Sequence, residues 1–126
     1  MMKQKKAKSF CITENIKDLV KYIAERDDYT KTAMYKRALR IFFKQGEGVS
    51  SRVLITDRSD PDYIPRNTQE VIYLDLELAE TLEKHAKAWN CSEGQIVFQA
   101  LINYCAERIT EDDTGIQIEE RGGKSR

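Results

Sequence analysis

A repeat at a spacing of 62 residues constrains the fold of this chain more than any other feature. The segment Phe10–Ile16 aligns without a gap with Ile72–Leu78. Further matches pair Ala24 with Ala86, Thr30 with Ser92, Met34 with Ile96, Ala38–Leu39 with Ala100–Leu101, and Phe42 with Tyr104. Few of these are identities, but apolar positions, helix caps and turns recur in the same order. The spacing therefore predicts two copies of one supersecondary unit.

Each copy begins with a short segment in which apolar residues alternate with others. Phe10 and Ile12 point to one side of the first segment, as Ile72 and Leu74 do in the second. A period of two over so few residues indicates a half-buried strand, and strands this short need a partner. The opposite side of the two strands carries Ala7, Ser9, Cys11, Gln69, Val71 and Tyr73.

Two helices are predicted after each strand. The first helix of each copy has apolar residues at helical spacing, namely Ile16, Leu19, Val20 and Ile23, and then Leu78, Leu82, Ala86 and Trp89. Asp75 is a favoured residue type for the N-cap of the first helix in the second copy. Thr30 and Ser92 are favoured N-caps for the second helices, and Gln95 completes a capping box with Ser92.

The chain divides into five predicted segments. They are a basic N-terminal arm (1–8), a first unit (9–45), a linker (46–68), a second unit (69–110) and a flexible tail (111–126). Gly46, Gly48, Pro61 and Pro65 mark the linker as a break between elements. Val53–Thr56 inside it is predicted to form a further short strand.

These elements resemble the ribbon-helix-helix, or MetJ/Arc, superfamily. Ile12–Ile16 and Leu74–Leu78 match the start of its helix A, and Asp28–Thr30 and Asn90–Ser92 match its turn. Its helix B pattern of Ala-Leu followed by an aromatic residue is matched by Ala38, Leu39 and Phe42, and again by Ala100, Leu101 and Tyr104. The resemblance implies a mostly α fold with short β-strands, a β-α-α unit repeated twice. The strands would pair into an antiparallel two-stranded ribbon over a four-helix core, within one chain or between two chains that exchange copies.

The resemblance also implies binding to double-stranded DNA, with the ribbon in the major groove. The expected base contacts are Ala7, Ser9, Cys11, Gln69, Val71 and Tyr73. The expected phosphate contacts are Lys3, Lys5, Lys6, Lys8, Thr30, Lys31, Thr32, Ser92, Glu93 and Gly94. Among the base contacts, Gln69 alone has the bidentate geometry that suits adenine, so the predicted base code is sparse.

Charge is distributed unevenly although the formal net charge is zero. Residues 1–45 carry twelve Lys and Arg against five Asp and Glu, a balance of +7, and residues 46–126 carry a balance of −7. Such asymmetry favours a polyanion as partner of the first half. Four basic residues of the first copy have no basic counterparts in the second, namely Lys31, Lys36, Arg37 and Arg40. The first unit is therefore expected to bind the DNA backbone more strongly.

We therefore expect a cytoplasmic DNA-binding protein, either a transcriptional repressor or an accessory factor at a plasmid or phage locus, for example in conjugation. Self-association on DNA is a further expectation. The alternative is a protein-interaction module or an antitoxin of the same fold with little DNA readout. The sequence predicts no enzyme, cofactor, metal, small-molecule substrate or membrane span, because glycine-rich phosphate loops, clustered metal ligands and long apolar runs do not occur in it.

Several single residues are given structural interpretations. The three cysteines lie far apart and are expected to be reduced. His85 is expected at the boundary of the core and Trp89 within its packing. Phe98 stands where the first copy has Lys36, and it is interpreted as a candidate interaction patch.

Overall fold

The computed structural model describes the backbone of residues 4–121 and the side chains of residues 4–110. The elements, in chain order, are β1 (Lys5–Ile12), α1 (Glu14–Asp27), α2 (Lys31–Gln45), α3 (Ser51–Leu54), β2 (Thr68–Asp75), α4 (Leu76–Ala88) and α5 (Glu93–Arg121). β1 and β2 pair antiparallel, with Lys5 opposite Asp75 at one end and Ile12 opposite Thr68 at the other.

The structure corrects the predicted fold class. A β-α-α unit repeated twice would need two ribbons, whereas the described residues hold one two-stranded antiparallel sheet. They also hold five helices instead of four. The physical reason is that each half supplies one strand, which is too short to be stable alone, and the linker adds a helix of its own. The architecture is thus a single ribbon packed on helices from the whole chain.

The core lies beneath one side of this ribbon. Phe10, Ile12, Ile72 and Leu74 are buried there, which confirms the alternation predicted for both strands. The helices cover them with apolar side chains that are almost completely buried. These include Val20, Ile23, Met34, Leu39, Phe42, Leu82, Ile96 and Leu101.

The helix ends recur at the 62-residue spacing. Asp28 and Asn90 both adopt a positive φ, 62° and 54°, just beyond the first helix of each half. The Thr30 hydroxyl caps α2 by accepting a bond from the Ala33 amide at 3.0 Å. Asp75 precedes α4 but its side chain makes no capping hydrogen bond, and it forms ion pairs instead.

The linker forms a short helix where a strand was predicted. Ser50 caps the start of α3 and Val53 is buried, so the prediction of a strand over Val53–Thr56 is wrong. The Gln95 side chain donates to the Val53 carbonyl at 3.3 Å, and Gln99 accepts from the Ser50 amide at 3.1 Å. These bonds fix the linker on the outer face of α5.

Phe98 is covered by this linker, so it is not an exposed interaction patch. Its side chain is buried, and the Arg66 guanidinium lies 5.1 Å from the centre of its ring. His85 and Trp89 do pack at the edge of the core, as expected. The His85 ring stacks on Phe43 with centroids 4.4 Å apart and meets the Trp89 ring at 4.7 Å.

The segment boundaries differ from the predicted ones at both ends. β1 begins at Lys5, so residues 5–8 of the predicted arm over residues 1–8 belong to a strand. α5 continues past Thr110 to Arg121. Residues 1–3 and 122–126 lie outside the described residues, and the flexible character of the tail stays a prediction.

Candidate nucleic-acid interface

The outer side of the ribbon brings together all six predicted base contacts. In the register of the sheet, Ala7 lies opposite Tyr73, Ser9 opposite Val71, and Cys11 opposite Gln69. All six are exposed, with Val71 at 52% and Tyr73 at 57%. Two antiparallel strands thus present one continuous face of small, polar and apolar side chains.

Gln69 is already oriented on this face. Its Nε2 donates to the Ser9 Oγ at 2.9 Å, across the two strands. This bond restricts the amide side chain while leaving its oxygen and one N–H free of that contact. A side chain held in this way loses less conformational entropy when it binds a base edge.

Lys6 and Lys8 do not join the outer face. They alternate onto the side of β1 that faces the helices, where the Lys6 and Lys8 amines lie 2.6 and 2.7 Å from the Glu83 carboxylate. Lys8 also lies 2.8 Å from Glu93. The structure therefore places these two predicted phosphate contacts in ion pairs within the chain, with Lys8 nearly buried and Lys6 half exposed. Of the four lysines of the predicted arm, Lys5 is exposed on the outer side, and Lys3 lies outside the described residues.

The ion pairs shift the pKa values of their members. Burial acts to lower the pKa of Lys8, but hydrogen bonds to Glu83 and Glu93 and their negative charges outweigh it, so the pKa is raised. The hydrogen bond from Lys6, followed by that from Lys8, lowers the pKa of Glu83 to about 2. Both groups are therefore charged at neutral pH and bound to each other.

A cavity at one end of the ribbon is lined by three basic residues. It has a volume of about 610 Å³ and joins the start of α2 to the outer side of the ribbon. It is lined by Lys5, Thr30, Thr32, Ala33, Lys36, Arg40 and Tyr73. Lys36 and Arg40 each lie 3.6 Å from Asp75, so the three cations are opposed there by one carboxylate. Lys31 points elsewhere and donates to Glu70 at 2.8 Å.

The start of α5 is built differently and carries acidic groups. Ser92 and Gln95 form the predicted capping box, with hydrogen bonds of 2.9 and 3.1 Å. Glu93 is ion-paired with Lys8 and brings a negative charge to this helix end. A Cβ added at Gly94 would lie 3.3 Å from the Cβ of Phe10, so this glycine permits close packing of β1. The predicted phosphate contacts at Ser92, Glu93 and Gly94 therefore face an unfavourable charge.

The helix-side ion pairs were missed because their partners are distant in sequence. Glu83 is 75 residues from Lys8, and no local sequence pattern predicts their contact. Within the described residues, no three His, Cys, Asp or Glu side chains form a group able to hold a metal ion. No helix in that part of the chain is both long and apolar enough to cross a membrane.

Comparisons with known proteins add no relationship to this picture. No protein-family model, curated protein or solved structure matches the chain.

Proposed function

We propose that the chain binds double-stranded DNA with the outer side of its ribbon in the major groove. The observation that carries the proposal is the continuous exposed face of Ala7, Ser9, Cys11, Gln69, Val71 and Tyr73, which ends in a basic cavity. A two-stranded ribbon has the width that the major groove of about 12 Å admits.

The side chains on this face suit weak direct readout. Gln69 offers an amide to adenine, and Ser9 bonds to several base edges. Ala7 and Val71 are suited to the methyl group of thymine, and Tyr73 reaches a base or a phosphate. With one bidentate group, we expect modest discrimination between sequences.

The phosphate contacts come mainly from one side. Lys5, Lys36 and Arg40 surround the cavity at the start of α2, whereas Glu83 and Glu93 stand near the start of α5. Three phosphate contacts predict that log affinity falls against log salt with a slope of about −3. The role is that of a cytoplasmic repressor or of an accessory factor on plasmid or phage DNA, acting by occupancy.

The test is binding to labelled duplex DNA over a salt series, with a triple variant K5A/K36A/R40A. The variant is expected to bind more weakly and with a shallower salt slope. The matched control is K21A/K84A/K87A, which removes three exposed lysines from α1 and α4. Equal weakening by both triples would mean that general charge, and not the cavity, governs binding.

Sequence readout is tested by selecting duplexes from a random pool with the wild-type chain and with Q69A. Loss of an adenine preference in Q69A, with affinity for unselected DNA retained, would support base contact by Gln69. Absence of binding even at low salt would overturn the whole proposal.

A protein partner is the second candidate, and the exposure of Val71 and Tyr73 favours it. These two of the six side chains give part of the ribbon face an apolar character that also suits a protein surface. The fold would then act as an interaction module or antitoxin. Retention of a partner by the wild-type chain but not by V71A/Y73A, in the absence of DNA binding, would support this candidate.

A further inference from the structure

The outer face of α2 forms an open groove beside the cavity of the DNA proposal, and the two share Ala33 and Arg40. Tyr29, Ala33, Arg37, Arg40, Ile41 and Lys44 line it, and its volume is about 430 Å³. Within α2, steps of three or four residues place Ala33, Arg37, Ile41 and Lys44 on one face, and Tyr29 lies just before the helix. Arg37, Arg40 and Lys44 are exposed.

The face of α5 that is equivalent to this groove in the repeat is covered by another segment of the chain. At the 62-residue spacing, Gln95 and Gln99 take the positions of Ala33 and Arg37. Both glutamines are buried because α3 lies over them, with Val53 packed into the core. In the first half the same face stays open. A short segment with an aliphatic anchor fits this face of the helix in one half of the molecule.

The α2 groove is positively charged, so we expect its binding partner to differ from the uncharged α3 contact seen on α5. The Arg37 guanidinium lies 5.6 Å from the centre of the Tyr29 ring, and Arg40 has Asp75 at 3.6 Å. Among the described residues, no carboxylate forms an ion pair with Arg37 or Lys44. Three cations therefore surround a small apolar floor of Ala33 and Ile41. This surface complements an acidic segment with aliphatic side chains.

The chain itself contains such a segment. Residues 111–120 have the sequence EDDTGIQIEE, with five carboxylates, two isoleucines and no basic residue. The helix α5 continues through this segment to Arg121. At 1.5 Å per residue, the helix extends about 16 Å beyond Thr110. Because the segment continues the axis of α5, we expect it to be available to a second copy and not to fold back on α2 of its own chain. Arg108, paired with Asp27 at 3.1 Å, anchors α5 just before this extension.

We propose that the α2 groove of one chain binds residues 111–120 of a second copy. The groove and the segment are different surfaces, so the contact is heterologous and links copies head to tail. It does not depend on DNA binding. On a DNA molecule, the same contact would line up neighbouring copies.

Sedimentation equilibrium of the full chain, without DNA, tests the contact. The average mass is expected to rise with protein concentration at low salt and to fall to that of a single chain at high salt, because exposed charges are screened. The variants R37E/K44E and D112N/D113N/E119Q/E120Q are each expected to weaken association by about tenfold or more. The control K21E/K84E, with the same charge change elsewhere, is expected to associate like the wild type.

A charge-swap mixture makes the test specific. R37E/K44E mixed with D112K/D113K/E119K/E120K is expected to associate, although neither chain associates alone. Because Arg37 also bonds to Tyr104, K44E serves as a second groove variant, and circular dichroism checks the fold of each chain.

Three results would overturn the proposal. The first is a single-chain mass at every concentration at low salt. The second is association that both the groove and the tail variants leave unchanged. The third is carbodiimide cross-linking of Lys44 to residues 111–120 within one chain only, shown by mixing isotope-labelled and unlabelled protein.

Discussion

The two halves of the ribbon face the same core with opposite charges. Lys8 of β1 and Glu70 of β2 stand at equivalent positions, 62 residues apart, and each is nearly buried. Lys8 pairs with Glu93 at the start of α5, and Glu70 pairs with Lys31 at the start of α2. The helix partners are also 62 residues apart and also reversed in sign.

This inversion of charge between equivalent positions makes the two halves complementary and not interchangeable. Two copies of the first half would bring Lys8 to Lys31, and two copies of the second would bring Glu70 to Glu93. Both arrangements place like charges together at low exposure, which is costly. The charges thus favour pairing of β1 with β2 over pairing of either strand with its own kind.

The largest expected effect comes from reversing the buried charge of β2. Glu70 has 7% of its side chain exposed and contacts Lys31 at 2.8 Å and the Tyr35 hydroxyl at 3.2 Å. E70K would place a cation among Lys17 and Lys31, and we expect a loss of about 3 kcal/mol or more in the free energy of unfolding. Urea denaturation measures it, with E80K on the exposed face of α4 as control.

Exchanging the charges of Glu70 and Lys31 tests whether their ion pair accounts for the loss. E70K/K31E is expected to recover part of the lost stability, because the opposite charges meet again in reversed order. If E70K were as stable as the wild type, the charge inversion would have no role in pairing the strands.

A smaller effect is expected where the linker covers α5. V53A removes two methyl groups from a side chain that is 2% exposed, and we expect a loss of about 1.6 kcal/mol. L54A is the matched control, since Leu54 is exposed. Equal losses in thermal or urea denaturation would show that α3 is not anchored by Val53.

The smallest expected effect is a pH dependence of stability that arises from Glu83 and its two lysine partners across the halves. The pKa of Glu83 is lowered from 4.5 to about 2 by Lys6 and Lys8. Its stabilising contribution is therefore complete above pH 4.5 and is lost as the pH falls towards 2. E83Q is expected to flatten the stability profile in this window, measured by urea denaturation at a series of pH values. E80Q should leave the profile as in the wild type, and a steep E83Q profile would contradict the assignment.

The side of each strand that is buried could be predicted from the sequence, because alternation is a local pattern. The burial of Phe10, Ile12, Ile72 and Leu74 could be predicted without knowing which segments pack against them. The fold class was wrong because the count of ribbons and helices depends on how distant segments meet. Ser50 and Val53 form a helix since α5 offers them a surface, which the linker sequence alone does not reveal.

The candidate site, too, was predicted only where it depends on a local pattern. The outer residues of the ribbon follow from the alternation, and the structure brings them to one face. The destinations of Lys6 and Lys8 depend on Glu83 in a helix far along the chain. Gly94 was interpreted as room for a phosphate, but its neighbour is Phe10.

The ribbon has a consequence for aggregation. Within the described residues the sheet has two strands, so each strand has an edge with no further strand beside it. Such edges invite pairing between molecules unless charges oppose it. Lys5, Lys6 and Lys8 supply these charges along β1. Lys6 and Lys8, which pair with Glu83 in the folded chain, would thus also oppose strand pairing between molecules when the ribbon opens.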